Sequence, residues 1–123
     1  MNFDGLIPVI LCRHIEKTLA FYQNAFRYII INKTETDDGL QWAHIKSDNT
    51  FLMLQKIKST ADSHQAVGNF TLHYYTSDVT AQHSFMTARG IKTGELEDTA
   101  YHVRQFKVTD PEGNILSIGQ SSN

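Results

Sequence analysis

Between Lys58 and Gly68 the chain turns small and polar, through Ser59, Thr60, Ala61, Asp62 and Ser63, and the same order of patterns recurs on each side. That recurrence constrains the fold more than any other feature. In the first half, the apolar run Leu6–Leu11 reads as a strand. Pro8 has no N–H to donate, so this strand belongs at an edge or pairs on one side only. A helix is predicted over Ile15–Phe26, because Ile15, Leu19, Tyr22 and Phe26 fall on one helical face. Strands are predicted over Tyr28–Asn32, Leu40–Lys46 and Thr50–Lys56, with Asp37-Asp38-Gly39 and Asp48-Asn49 as turns.

In the second half, a strand over Phe70–Thr76 leads to a helix capped by Ser77-Asp78 and stopped after Arg89 by Gly90. Strands at Ile91–Leu96, Tyr101–Thr109 and Ile115–Gly119 follow, the last two joined by Asp110-Pro111-Glu112-Gly113-Asn114. The order is β-α-β-β-β twice. An offset of 64 residues sets Phe21 on Phe85 and Ile7 on Thr71. The expectation is a single domain over 1–123, with a first module at 1–57, a linker at 58–68 and a second module at 69–121. Neither half has enough chain for an independent core. Two four-stranded sheets closing on a shared cavity satisfy both halves.

Composition removes several function classes. The net charge is −2 with 20% charged residues, too small and too mixed for a nucleic-acid or membrane-surface role. No apolar run approaches the roughly 18–20 residues of a membrane span. Asp4 and Gly5 interrupt the N-terminus before any signal-peptide core forms. One cysteine, Cys12, excludes an internal disulfide and a multi-thiolate zinc site, so a reducing cytoplasm is expected. Six histidines invite a metal hypothesis.

Two stretches carry a family resemblance. One runs from Ile7-Pro8-Val9 to the helix His14-Ile15-Glu16-Lys17-Thr18-Leu19-Ala20-Phe21-Tyr22, and the other spans Arg104–Ile118, with Asp110-Pro111-Glu112-Gly113-Asn114 ahead of an alternating strand. Over nearly the whole chain this resembles the vicinal oxygen chelate superfamily: glyoxalase I, extradiol dioxygenases, fosfomycin resistance enzymes and bleomycin resistance proteins. The resemblance implies an α+β fold of two βαβββ modules forming a curved mixed sheet around a central cleft. It also implies a homodimer, with exchange of modules between chains permitted by the polar linker. Arg27 departs from the pattern, which has a glycine after the first helix, so Arg27 needs another way to leave it.

The family's metal-holding positions fall on Ile7, Met53, Thr71 and Ser117. None is His, Asp, Glu or Gln, and hard or borderline metals want carboxylate, imidazole or thiolate. The expectation is therefore no metal, no cofactor and no catalytic residue, as in the bleomycin-resistance branch.

Strand alternation assigns the ligand-facing side chains. Thr71, His73 and Tyr75 oppose Phe70, Leu72 and Tyr74. A two-residue turn at Asp48-Asn49 sets His44 opposite Met53 and Trp42 opposite Gln55. Ala43, Ile45, Leu52 and Leu54 then face the helix, leaving Trp42, His44, Phe51 and Met53 for the cavity. In the last hairpin Phe106, Val108, Leu116 and Ile118 are core, and Tyr101, Val103, Gln105, Lys107 and Ser117 face the cavity. The candidate ligand-binding set is Trp42, His44, Phe51, Met53, His73, Tyr75, Tyr101, Gln105, Lys107 and Ser117. Aromatic walls with sparse polar groups suit a small organic ligand, and Trp42 also suits a dimer interface.

His44 and His73 read better as hydrogen-bonded cavity histidines than as a metal pair without a carboxylate. His14, His83 and His102 read as solvated, His64 lies in the linker, and Cys12 reads as a small buried apolar group. No nucleophile triad and no phosphate loop are visible. The leading expectation is a cytoplasmic small-molecule binder acting by sequestration. The alternative is a metal-dependent lyase, isomerase or dioxygenase with a displaced site at His44 or His73. A third reading is a structural module whose cavity is filled by side chains.

Overall fold

A computed structural model describes residues 1–58, 67–68 and 70–121. His64 and the linker expectation at 59–66 lie outside the described residues. The chain divides into two compact units, Met1–Val67 and Gly68–Asn123.

The first unit holds β1 (Val9–Cys12), α1 (Ile15–Phe26), β2 (Ile29–Thr36), β3 (Gly39–Ser47) and β4 (Thr50–Lys56). Its sheet order is β1-β4-β3-β2, with β1 parallel to β4 and the other pairs antiparallel. The second unit holds β5 (Thr71–Tyr75), α2 (Val79–Ala88), β6 (Glu97–Asp98), β7 (Val103–Thr109) and β8 (Ile115–Ser121) in the equivalent order β5-β8-β7-β6. The starts of α1 and α2 are 64 residues apart, as are those of β3 and β7. The fold is α+β: two βαβββ modules, each a four-stranded mixed sheet with one helix.

Each module has a core of sheet against helix. In the first, Ala43, Ile45, Leu52 and Leu54 are at most 3% exposed, and α1 packs on β3 and β4 through Ile15, Leu19 and Tyr22. Tyr22, Phe26 and Tyr28 add a ring cluster at the helix end, with Tyr22 and Tyr28 edge-on at 5.8 Å. In the second, α2 packs on β7 and β8, where Phe106, Val108, Leu116 and Ile118 are buried. Asp78 caps α2 by accepting the Ala81 N–H at 3.0 Å. Cys12 is fully buried, its thiol donating to the Ile10 carbonyl at 3.3 Å, as expected of a small core group.

Several boundaries differ from expectation. β1 begins at Val9, not Leu6; the Pro8 carbonyl accepts from Met53 N–H, and the chain before it pairs no further. β2 runs on to Thr36, with register shifts between Ile30 and Asn32 and between Thr34 and Glu35. The expected strand at Ile91–Leu96 is not formed. Ile91 N–H stays tied to the helix end at Met86 O, and Gly94 makes one isolated bond to Lys107 O, so the ladder shrinks to Glu97–Asp98. β7 begins at Val103 rather than Tyr101, because the Thr99 hydroxyl accepts the N–H groups of Tyr101 and Val103 and holds a turn. His102 in that turn has φ 60°. His83 is not simply solvated: its Nε2 bonds Gly94 O at 3.0 Å and its ring meets Phe106 edge-on at 4.9 Å.

Arg27 leaves α1 in the left-handed region, at φ 60° and ψ 33°, its N–H donating to Tyr22 O. A side chain there costs about 1 kcal/mol or more that glycine avoids. Ser47 Oγ donates to the Phe26 carbonyl at 2.6 Å and holds the helix end.

The Asp110–Asn114 loop is a hydrogen-bonded frame. The buried Asp110 carboxylate accepts the N–H groups of Glu112 and Asn114, each at 2.9 Å, and the Asn114 side-chain amide at 3.0 Å. Gly113, at φ 92°, donates back to Asp110 O.

Two outcomes are expected from these local geometries. Asp110→Ala leaves three donors without their charged acceptor and lowers unfolding free energy by about 2–3 kcal/mol, read as a shifted urea midpoint. Arg27→Gly raises it by about 0.5–1 kcal/mol in the same assay.

Candidate functional site

β3 and β4 pair Trp42 with Gln55, His44 with Met53, and Lys46 with Phe51, so these six side chains share the face turned from α1. Trp42, His44 and Met53 are half-buried, and Phe51 is 37% exposed. The rings form a row, with centroids 6.2 Å apart for Trp42 and His44 and 5.9 Å for His44 and Phe51. Lys46 Nζ closes it, 5.5 Å over the Phe51 ring. His44 Nε2 is buried and has no hydrogen-bond partner among the described residues. An unmet buried nitrogen costs about 1–3 kcal/mol and asks for an explanation.

The second unit offers a more polar face, turned from α2. His73 pairs with Ser117, Ser117 with Lys107, and Gly119 with both Tyr75 and Gln105. His73 Nδ1 lies 3.0 Å from Ser117 Oγ, which donates to Gln105 Oε1 at 3.4 Å. Tyr75, 83% exposed, meets the His73 ring edge-on at 4.7 Å. The ring leans over Gly119, where a Cβ would stand 2.9 Å from His73 Cε1, 3.1 Å from its Nε2 and 3.0 Å from Val103 Cγ1.

The structure thus brings Trp42, His44, Phe51 and Met53 together on one face, and His73, Tyr75, Gln105, Lys107 and Ser117 together on another. Tyr101 is not placed with either set. It sits in the turn before β7, 85% exposed, and strand alternation does not orient it. Sequence reasoning missed three members of these faces. Lys46 and Gln55 were legible, since the same alternation that selects Trp42 selects them. Gly119 was not, because its role is a close approach visible only once β5 lies beside β8.

The family's metal positions can be tested on their donors. Met53 is a half-buried thioether on β4, Ile7 is aliphatic, and Thr71 and Ser117 offer neutral hydroxyls, that of Ser117 already engaged by Gln105 and His73. This set does not fit a divalent ion. Among the described residues, no three His, Cys, Asp or Glu side chains gather to hold one.

Two surface hollows lie within single units, and neither is lined by the three rings or by His73. One, of about 360 Å³, is lined by Arg27, Ile29, Lys46, Ser47 and Asp48. The other, of about 480 Å³, is lined by residues at the start of α2 with Asp98, Arg104 and Gln120. That helix start is already served: Gln120 Oε1 accepts Val79 N–H at 2.7 Å and Asp78 accepts Ala81 N–H. No helix among the described residues is long and apolar enough to cross a membrane.

The paired βαβββ modules define a fold class, and the comparisons assign the family. The model of the Glyoxalase/Bleomycin resistance protein/Dioxygenase superfamily matches residues 7–118. The chain belongs to that superfamily. Among solved structures it is similar to TnmS3, an antibiotic binding protein from Streptomyces sp. CB03234, at 20% identity, 99% coverage of each chain and TM-score 0.76. It is also similar to a bleomycin resistance determinant encoded on transposon Tn5, at 16% identity over 98% of this chain and 100% of that one, TM-score 0.76. A lactoylglutathione lyase from Agrobacterium tumefaciens matches at 18% identity over 99% and 97% of the two chains, TM-score 0.75. No curated protein matches the chain.

Gly119→Ala is expected to push the His73 ring off Ser117 and cost about 1–3 kcal/mol, seen as displaced His73 ring resonances and a lower urea midpoint. His44→Phe removes the unmet nitrogen at similar volume. It is expected to leave stability unchanged or raise it by up to about 1 kcal/mol, on the same denaturation curve.

Proposed function

We propose that the protein binds a small, largely aromatic organic molecule on one or other of these sheet faces, holds it without metal chemistry, and acts by sequestration. One observation carries the reading: the ring row of Trp42, His44 and Phe51, in a chain of this superfamily whose expected metal positions, Ile7, Met53, Thr71 and Ser117, offer no carboxylate, imidazole or thiolate. Flat rings with few polar groups recognise ligands by stacking, and Lys46 and Lys107 favour some carbonyl or anionic character. A sequestering protein needs affinity and abundance, not turnover. The relatives described as an antibiotic binding protein and a bleomycin resistance determinant support the ligand class. A homodimer, with modules exchanged through the polar linker, is the assembly proposed, and a reducing cytoplasm suits the buried Cys12 thiol.

One observation favours a second reading, a metal enzyme with a displaced site: the unpartnered His44 Nε2. Elemental analysis of protein purified without chelator separates the two. Less than a tenth of an equivalent of Zn, Ni, Mn or Fe is expected; a stoichiometric metal lost in His44→Ala sinks the binder reading. Trp42 is the only tryptophan, so its fluorescence reports occupancy directly. A planar aromatic ligand is expected to quench it saturably, and Trp42→Ala to weaken binding about tenfold or more by calorimetry.

A further inference from the structure

We propose that His73, Ser117 and Gln105 form a directional hydrogen-bond chain that presents His73 Nε2 as an acceptor, so that the ligand taken by this face carries an N–H or O–H donor. The direction follows from the far end. With the Gln105 amide turned as it stands, its Oε1 faces Ser117 and can only accept, so the Ser117 hydroxyl proton points to it at 3.4 Å. Ser117 Oγ then meets the imidazole with a lone pair, and His73 Nδ1, 3.0 Å away, must be the donor. A neutral imidazole carries one ring proton. With that proton on Nδ1, Nε2 keeps its lone pair.

Among the described residues His73 Nε2 has no hydrogen-bond partner. His73 as a residue is exposed, and the side of the ring over β8 faces Gly119, whose missing Cβ would lie 3.1 Å from Nε2. Tyr75 packs edge-on against the same ring and fixes its plane. Ser117 is only 5% exposed, and its hydroxyl donates to Gln105. The chain is a recognition device: it fixes a tautomer and hence the polarity of one ligand contact. A phenol, an indole or another aryl N–H fits it, and an ether or N-alkylated analogue does not. The ligand half of this inference rests on the small-molecule reading above; the tautomer half stands on the geometry alone.

The test has two arms matched to those halves. Long-range proton–nitrogen NMR on the full chain, in alkaline buffer where imidazole is neutral, assigns the ring proton of each histidine. The His73 signals are expected to show a protonated Nδ1 and a bare Nε2, and Ser117→Ala is expected to release that tautomer. A protonated Nε2 in the parent chain, or no change in Ser117→Ala, overturns the proposal. The second arm titrates indole against N-methylindole, which differ at the donor. Indole is expected to bind about fivefold tighter, with the preference lost in His73→Phe. Equal affinities overturn the donor requirement. If neither compound binds, the aromatic-ligand reading and its donor preference both fall, while the tautomer result is decided by the first arm.

Discussion

The Asp110 carboxylate is the interaction on which the second module most depends. It gathers two backbone N–H groups and the Asn114 amide into one buried turn. That turn fixes the β7–β8 register at Thr109 opposite Ile115. Because strand side chains alternate, a slip of one residue would exchange the two faces of the sheet. Phe106, Val108, Leu116 and Ile118 would leave the core, and Ser117 would leave its place between His73 and Lys107. The Asp-Pro-Glu-Gly-Asn stretch that marks the family is thus a device of folding. It sets the register that places His73, Ser117 and Gln105 on one face.

In the first module the Asp48-Asn49 turn does the same work. Ser47 pairs with Thr50 across it, and the register that follows puts Trp42, His44 and Phe51 in a row. The two faces differ in character. One is a ring row with an unmet imidazole nitrogen; the other is a hydrogen-bond chain ending in an exposed imidazole. A buried nitrogen without a partner works against stability, and such costs are commonly retained where a binding surface requires them. The two imidazoles thus differ in their partners: His73 is bonded to Ser117, whereas the buried His44 Nε2 has none among the described residues.

Much of this was legible in the residues. The helix Ile15–Phe26 and the strand Thr50–Lys56 have the bounds their periodicity predicts, and the hairpin register between them follows from a two-residue turn. The misreadings cluster where apolar pattern is weak. Ile91–Leu96 has large apolar residues only at its two ends and pairs only through Gly94, and the Thr99 hydroxyl takes the N–H groups that would have begun β7 at Tyr101. These are local competitions for hydrogen bonds, and composition and spacing do not rank them.

The sequence by itself determined the paired module order, the faces of the strands and the donor chemistry of each side chain on them. Each depends only on spacing and residue chemistry, since alternation of period two and the donor atoms of a side chain need no neighbour to define them. Tertiary structure decided what depends on approach between distant segments. Only with β5 beside β8 does Gly119 become the clearance for the His73 ring, and only then does Ser117 turn from a missing ligand into the middle of a hydrogen-bond chain. The physical reason is range: a hydrogen bond acts over about 3 Å, and 44 residues of chain separate His73 from Ser117 until the sheet closes that distance.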